Sequence, residues 1–238
     1  MTTFWQSQRW FDYERAFGDV EGTRAELFAS ATWKTRVLDL RPHDAELWRD
    51  IRRSYHSVVN KLTRDGSPEI FHTFGSKMRD DLEAPRCLHA MEAGRETRPL
   101  ETWHIMAEWV RSSRAICVCS YVSIDENVSE AKAYAYFAMH GNWAYYFSAA
   151  SVLPNQHHGI MWHAIQDLKN RGIEWLEIGW QGHATDEKGK NIEFFRRGWG
   201  GVDIPVKFSG CAQCIDWATA EHAPELVKCL SCGRTWQR

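Results

Sequence analysis

The 238-residue sequence predicts a mixed α/β (α+β) fold, in which helices cover the faces of a β-sheet, followed by a small cysteine-rich tail. Helical spacing of apolar residues dominates the first half of the chain, and a hairpin followed by alternating helices and strands dominates the second half. Elements in this order form a mixed sheet flanked by helices. Two closely spaced cysteine pairs set the tail apart. We therefore expect one domain over residues 1–209 and a second over residues 210–238.

Composition restricts the class of protein. The chain is 44% hydrophobic and 25% charged, with a formal net charge of −2. This near-neutral charge argues against a general nucleic-acid binder, which needs a basic surface to displace counterions. No apolar run approaches the ~20 residues of a membrane span, and residues 1–6 lack the basic and apolar regions of a secretion signal. We therefore expect a cytoplasmic protein, in which clustered cysteines bind metal more often than they form disulfides.

The first elements follow from aromatic content and periodicity. Residues 4–15 are aromatic and amphipathic, which predicts a segment packed on the domain. Residues 34–40 are typical of a short strand. Pro42 can open a helix in which Asp44 caps or charges the first turn. Apolar residues at helical spacing predict that this helix continues to about Arg64: Leu47, Ile51, Tyr55, Val58 and Leu62.

The middle of the chain contains further helical patterns. Residues 68–75 fit either a strand or an extended link. Residues 76–94 predict a helix that Pro85 interrupts. Residues 94–99 are typical of a turn. Residues 100–112 predict a helix with one apolar side, formed by Trp103, Met106, Ala107 and Val110.

The character of the sequence changes at Ala115. Residues 115–124 predict a buried strand, and residues 132–139 and 143–150 predict a hairpin. Its turn, His140-Gly141-Asn142, contains residues that tolerate a positive φ. Residues 159–170 have the spacing of a helix, which Gly172 closes.

The last elements of the domain alternate. Residues 173–180 predict a strand, and residues 181–190 form a polar loop. A short helix over residues 191–197 follows the loop. Residues 202–208 predict a final strand after a glycine-rich turn.

The tail carries two CxxC motifs, Cys211 with Cys214 and Cys229 with Cys232, separated by residues 215–228. A CxxC turn brings both sulfurs to one ion, and two such turns supply the four-thiolate shell of structural zinc. A closed shell leaves no position for a water, so we predict a structural role for the zinc. The remaining cysteines, Cys87, Cys117 and Cys119, are predicted to have no special chemistry, and the last two lie in an apolar strand. A cysteine nucleophile is the alternative.

The end of the domain resembles a known family. Residues 176–179, Leu-Glu-Ile-Gly, are followed by a polar loop and by residues 191–201, Asn-Ile-Glu-Phe-Phe-Arg-Arg-Gly-Trp-Gly-Gly. This pattern resembles the FemAB/FemX-like acyltransferases, a branch of the GNAT superfamily of N-acyltransferases. The resemblance spans roughly residues 4–208 and implies a single GNAT-like domain. The chain differs from many relatives in carrying Phe195-Arg196 instead of Phe-Lys, and the cysteine-rich tail is not part of the general family pattern.

The resemblance implies where a donor would bind. In GNAT folds two adjacent parallel strands separate, and the acyl donor lies in the gap; here these strands are residues 143–150 and 174–180. The loop before the next helix would approach the donor phosphates, because free N–H groups at a helix start bind anions. An ordinary helix cap is the alternative. The candidate donor-binding residues are Asn155, His157, His158, Gly159 and Arg196.

Acyl transfer to an amine requires a group that removes a proton from the nitrogen, and Glu, Asp and His are the usual bases. Glu177 lies on an apolar strand, where a carboxylate is costly unless it is paired or used in chemistry. It is therefore a candidate base or acceptor anchor, with a structural hydrogen bond or salt bridge as the alternative. His183 and Asp186 on the following loop are further candidates.

Two arginines could bind an anionic acceptor or a donor phosphate. Arg95 and Arg98 flank a tight turn and could grip an anion bidentately. A solvated turn is the alternative.

We therefore expect an N-acyltransferase that moves an acyl group from acyl-CoA to the amine of a small molecule, such as an amino sugar, a nucleotide-linked sugar or an amino-acid-like acceptor. Aminoacyl-tRNA is the alternative donor, and the absence of positive net charge argues against it. A different alternative is a non-catalytic protein that docks on a partner through the zinc-binding tail.

Overall fold

A seven-stranded sheet forms the centre of the protein in a computed structural model, which describes residues 28–64, 69–74, 82–123, 129–182, 184–208, 226–228 and 235–237. The strands are β1 (Phe28–Asp39), β2 (Glu69–Phe74), β3 (Ala115–Ser123), β4 (Ser129–His140), β5 (Trp143–Ser151), β6 (Trp175–Gln181) and β7 (Val202–Phe208). Their order across the sheet is β2-β3-β4-β5-β6-β1-β7. The β5–β6 pair is parallel, and the other neighbouring pairs are antiparallel.

Helices cover both faces of this sheet, as the sequence predicts. They are α1 (Asp44–Asp50), α2 (Arg53–Thr63), α3 (Glu83–Ala93), α4 (Leu100–Arg111), α5 (Gln156–Asn170) and α6 (Glu187–Arg197). No helix within these described ranges has the length and apolar character needed to span a bilayer.

The alternation of side chains along the strands divides the core in two. Ala135 and Phe137 of β4 point to one face, where they join buried residues of α2 and α5. Tyr134 and Tyr136 point to the opposite face, where they join buried residues of α3 and α4. Successive strand residues face opposite sides of a sheet, so one strand serves two cores. The predicted apolar side of α4 is confirmed, because its four residues Trp103, Met106, Ala107 and Val110 are all buried.

The prediction of one long helix over residues 42–64 is wrong, because the segment forms two helices. The first begins with a capping box in which His43 accepts from the Ala45 N–H and Glu46 accepts from the His43 N–H. The second begins after an extended Ile51, where the N–H of Arg52 donates to the carbonyl of Gly198 at 2.7 Å. This long-range hydrogen bond explains why local periodicity missed the break.

Three other helix boundaries differ from the prediction. Pro85 lies in the first turn of α3, where a missing N–H costs no helical hydrogen bond, so it does not interrupt the helix. Helix α5 begins at Gln156, before the predicted start at Gly159. Helix α6 begins at Glu187, before the predicted start at Asn191, because Asp186 caps it. Helix ends depend on capping contacts that apolar periodicity does not report.

Strand β2 settles the open choice for residues 68–75 in favour of a strand. The hairpin of β4 and β5 is confirmed, and its Gly141 has a φ of +57°. Cys117 and Cys119 are buried on β3, as expected for structural residues, and burial raises the pKa of the Cys117 thiol. The predicted N-terminal segment 4–15 lies outside the described residues.

A short hairpin belongs to the predicted tail. Strands β8 (Leu226–Lys228) and β9 (Thr235–Gln237) pair antiparallel, with Lys228 opposite Thr235. The four cysteines of the predicted zinc site lie outside the described residues. Within the described ranges, no group of three or more His, Cys, Asp or Glu side chains could hold a metal ion.

Candidate active site

The parallel strands β5 and β6 pair over a short distance and then separate. Their partners are Trp143 with Trp175, Ala144 with Leu176, and Tyr145 with Glu177. Beyond these residues β5 continues to Ser151 and β6 to Gln181 without further pairing to each other. The separation of these two strands, which the family resemblance implies, is therefore confirmed.

Both strands are irregular immediately beyond the last pair. In β5, Tyr146 lies opposite Phe137 and Ser148 lies opposite Tyr136, so Phe147 is an inserted residue. In β6, Gly179 has a φ of +101°. A bulge bends its strand and increases the local twist, which moves β5 away from β6.

A cavity of about 630 Å³ opens where the two strands separate. Strand β5, the first turn of α5, helix α6 and the end of α3 form its walls. Its lining residues are Glu92, Tyr146, Phe147, Ser148, Ala149, His157, Lys188, Asn191, Ile192, Phe195 and Arg196. The lining combines aromatic surface with two cationic groups and one carboxylate, which suits a ligand with both apolar and anionic parts.

Arg196 connects α6 with the end of β6. Its Nη1 donates to the carbonyl of Trp180 at 2.9 Å. The guanidinium lies over Gly179, because a Cβ added there would be 2.8 Å from Cζ of Arg196. The Nε of Arg196 is buried and has no hydrogen-bond partner among the described residues. A glycine at position 179 therefore makes room for the cation at the cavity wall.

His157 reaches the cavity from the first turn of α5. Burial lowers the pKa of its imidazole below the usual value, so the ring is neutral at pH 7. The helix start is tied to β3, because Gln156 accepts a hydrogen bond of 2.5 Å from Ser120. Asn155 precedes the helix with a φ of +67° and is exposed. The structure thus brings His157 and Arg196, two predicted donor-binding residues, to one cavity.

Two of the three remaining predicted donor-binding residues, His158 and Gly159, pack against other side chains. His158 contacts the rings of Tyr55 and Phe195 at centroid distances of 4.4 and 5.1 Å. Gly159 is buried against Phe71, and a Cβ at this position would lie 2.2 Å from the ring. Neither residue is among those that line the cavity. Close helix–strand packing explains the glycine at position 159.

The two predicted anion-binding arginines differ in their surroundings. Arg98 donates through Nη1 to Oγ of Ser148 at 2.6 Å, so it lies directly behind the cavity wall. Its guanidinium also lies over the rings of Trp103 and Phe147. Arg95 is exposed in the turn that precedes Arg98.

The two candidate bases that the structure describes, Glu177 and Asp186, are not among the residues that line the cavity. Glu177 is fully buried and accepts a hydrogen bond of 2.7 Å from Thr35 of β1. Asp186 is exposed and accepts from the Gly189 N–H at 2.7 Å, which makes it the N-cap of α6. His183 lies outside the described residues. A catalytic role of these residues stays a prediction.

Other cavity residues were not singled out from the sequence. Ser148 accepts from Arg98 and is hydrogen-bonded to Tyr134, and Tyr134 is hydrogen-bonded to His89. Glu92 accepts from the Ser151 N–H and lies 3.8 Å from Lys188. These partners are far apart in the sequence, so no local spacing reveals them.

The described fold resembles several solved structures. FemX matches with a TM-score of 0.61 and 11% identity, over 91% of this chain and 79% of that chain. The C-terminal domain (DUF2156) assigned to a lysylphosphatidylglycerol synthetase of Agrobacterium fabrum matches with a TM-score of 0.55 and 10% identity, over 82% of this chain and 64% of that chain. L-PGS from Bacillus licheniformis matches with a TM-score of 0.55 and 11% identity, over 86% and 65%.

These matches show that the chain has a fold similar to that of FemX, as the sequence resemblance predicts. No protein-family model matches the chain, and no curated protein sequence matches it.

Proposed function

We propose that this GNAT-like chain is an N-acyltransferase, which transfers an acyl group to the amine of a small molecule and binds its acyl donor in the cavity beside β5. The observation that carries this proposal is the separation of β5 from β6 after Tyr145 and Glu177, with Arg196 and His157 in the cavity that results. Unpaired strand edges in such a gap offer N–H and C=O groups to an extended donor chain.

Acyl-CoA fits the cavity as donor because the lining is both aromatic and cationic. Arg196 and Lys188 lie on one wall, formed by α6. An arginine binds phosphate with two parallel N–H donors, and the buried Nε of Arg196 has no partner among the described residues. Tyr146 and Phe147 of the opposite wall provide apolar surface for the pantetheine arm.

An aminoacyl group is the second candidate for the transferred group. One structure of similar fold belongs to a protein whose name describes a lysyl derivative of phosphatidylglycerol. The donor in that case would be aminoacyl-tRNA. The formal net charge of −2 disfavours a large nucleic-acid donor, because such binding depends on displaced counterions. The acceptor would be an amino sugar, a nucleotide-linked sugar or an amino-acid-like molecule.

The proposal includes one structural zinc held by Cys211, Cys214, Cys229 and Cys232. The pairing of β8 with β9 supports it, because residues 229–234 connect Lys228 to Thr235 and contain the second CxxC motif. Two CxxC motifs supply the four thiolates of a structural zinc site. The zinc would stabilise the fold of the tail and take no part in acyl transfer.

Calorimetric titration with acetyl-CoA tests the donor, with Arg196→Gln and Arg197→Gln as a matched pair. Both arginines lie at the end of α6, but Arg197 is exposed and does not line the cavity. Loss of a charge-assisted contact costs about 1.5–3 kcal/mol, so Arg196→Gln should weaken binding by roughly 10–100-fold. Arg196→Lys should retain part of the affinity.

Equal affinities of the two glutamine variants would contradict the assigned binding wall. Binding of aminoacyl-tRNA without any binding of acetyl-CoA would favour the second donor. Binding of neither donor by the wild-type protein would contradict the proposed function.

A further inference from the structure

A chain of hydrogen bonds leads from the cavity to the protein surface. It begins at Ser148, which lines the cavity and is 6% exposed. Oγ of Ser148 lies 2.8 Å from Oη of Tyr134, and this hydroxyl lies 3.0 Å from Nδ1 of His89. His89 on α3 is partly exposed, so its ring can exchange a proton with water. The chain therefore joins a buried hydroxyl to solvent through one tyrosine.

The donor Arg98 and the tautomer of His89 together set the direction of the hydrogen bonds in the chain. Arg98 is a donor only, so Oγ of Ser148 accepts its hydrogen bond of 2.6 Å. With Nδ1 of His89 as acceptor, Tyr134 donates to His89 and Ser148 donates to Tyr134. Oγ of Ser148 then has one remaining lone pair for a group in the cavity. Oγ of Ser148 can therefore accept a proton from a group in the cavity, while the hydroxyl groups of Ser148 and Tyr134 each keep an acceptor.

Packing holds the members of the chain in place. Trp103 contacts the rings of both His89 and Tyr134 edge-on, at centroid distances of 5.7 and 6.1 Å. The guanidinium of Arg98 lies 5.6 Å from the Trp103 ring. Because Tyr134 is fully buried, water cannot compete for its hydroxyl.

Burial, together with two nearby cations, keeps the ring of His89 neutral at pH 7. Burial lowers the pKa of His89, and the nearby Arg98 lowers it further. Lys188 of α6 acts in the same direction, and Glu92 on the same helix as His89 acts in the opposite one. Burial also raises the pKa of Tyr134 to about 12, so the phenol stays protonated and can only pass a proton on.

We propose that Ser148, Tyr134 and His89 carry the proton of the acceptor's ammonium group from the cavity to solvent; this inference rests on the proposed acyl transfer. The ammonium proton moves to Ser148 as the Ser148 proton moves to Tyr134 and the Tyr134 proton moves to Nδ1 of His89. The free amine then attacks the acyl carbonyl carbon, the new C–N bond forms, and the C–S bond of the thioester breaks. The second amine proton goes to the departing sulfur, and the His89 imidazolium returns its proton to water.

Tyr134→Phe and Tyr136→Phe form a matched pair for the test. Both tyrosines are buried on the same face of β4 and each loses one hydroxyl, but Tyr136 donates to the Met106 carbonyl, outside the proton path. We expect Tyr134→Phe to lower kcat by roughly 10²–10⁴-fold, as for loss of general base catalysis, with the acetyl-CoA affinity unchanged. Tyr136→Phe should retain kcat.

A pH–rate profile identifies the end of the path. In the wild-type protein kcat should fall at low pH as His89 becomes protonated, and His89→Gln should remove this limb. Exposed His104 on α4 provides the control, because His104→Gln should leave the limb intact. An acidic limb that survives in His89→Gln, or equal kcat values for the two phenylalanine variants, would overturn the proton path.

A spectroscopic measurement tests the path without turnover. The ¹⁵N chemical shifts of His89 report its tautomer, which the Tyr134 hydroxyl should fix with the proton on Nε2. Tyr134→Phe should change these shifts, and Tyr136→Phe should not. Unchanged shifts in Tyr134→Phe would overturn the path, whether or not acyl transfer is observed. A wild-type protein that binds no acyl donor but shows the tautomer effect would contradict the proposed function alone.

Discussion

Thr35 on β1 donates a hydrogen bond of 2.7 Å to the carboxylate of Glu177 on β6, and both side chains are fully buried. The bond joins two antiparallel neighbours close to the point where β6 leaves β5. Removal of one partner of a buried hydrogen bond, which leaves the other partner unsatisfied, costs about 1–3 kcal/mol. We expect Thr35→Val to lower the free energy of unfolding by about this amount in urea titration. Thr97→Val, at an exposed turn, is the control, and equal stability of the two variants would contradict the structural role of the bond.

The substitution Glu177→Gln distinguishes two possible roles of this residue. If Glu177 is the general base suggested by its strand, Glu177→Gln should lower the rate by roughly 10²–10⁴-fold and leave the melting temperature almost unchanged. If its main role is to pair with Thr35, the variant should keep its rate, because the amide oxygen of Gln can still accept the hydrogen bond from Thr35. We expect the second result, because Glu177 is not among the residues that line the cavity. A selective loss of rate would restore the catalytic role.

Gly179 should be sensitive to the smallest added side chain. Its φ of +101° and the nearby Arg196 guanidinium, 2.8 Å from an added Cβ, both oppose alanine. Gly172 has a φ of +80° with open space around it, so Gly172→Ala measures the backbone cost alone. This cost is roughly 1–2 kcal/mol. We expect Gly179→Ala to lose more stability than Gly172→Ala and to weaken acetyl-CoA binding. Equal effects would show that Arg196 moves aside without cost.

Two variants of Asp186 distinguish a role as a helix cap from a role as a catalytic base. As the N-cap of α6 it accepts from the Gly189 N–H at 2.7 Å. Asparagine also caps helices, whereas alanine does not, at a cost of about 0.5–2 kcal/mol. We therefore expect Asp186→Ala to lower stability and Asp186→Asn to preserve both stability and rate. A large loss of rate in Asp186→Asn would support the base suggested by the sequence.

Stability should fall as the solution becomes acidic. Burial lowers the pKa of both His157 and His158 below the usual value. Between the folded-state and unfolded-state pKa values the unfolded chain binds more protons than the folded chain, so the free energy of unfolding rises with pH in this interval. The contribution of the two histidines is therefore complete above pH ~6.5 and is lost progressively as the pH falls from there toward their folded-state pKa values. We expect His157→Gln to reduce this pH dependence, measured by urea titration from pH 7 to pH 5. His140→Gln, at an exposed position, should leave it unchanged; a wild-type slope in His157→Gln would contradict the assignment.

Metal analysis should give about one zinc per chain for protein made in zinc-containing medium. The double variant Cys211→Ser, Cys214→Ser should lose zinc binding. It should also lose the protection of the backbone amides of β8 and β9 against hydrogen exchange. Cys87→Ser, at an exposed cysteine of α3, should retain the metal. A zinc-free wild-type protein with the same melting curve as the zinc-loaded one would contradict a structural site.

The sequence by itself determined the type and order of most elements and the face that α4 buries. Periodicity and turn chemistry are local properties, and in the hairpin around Gly141 local preference and the final fold agree. The family pattern over residues 176–201 also predicted the separation of two strands, which the end of pairing at Tyr145 and Glu177 confirms.

Tertiary structure alone decided which side chains meet at the cavity. Arg196 lies against Gly179, and Arg98 reaches Ser148 across 50 positions of sequence. The break between α1 and α2 likewise depends on the carbonyl of Gly198, which is remote in the sequence. Such contacts depend on how strands curve and helices pack, and these properties are set by the whole core and by no single segment.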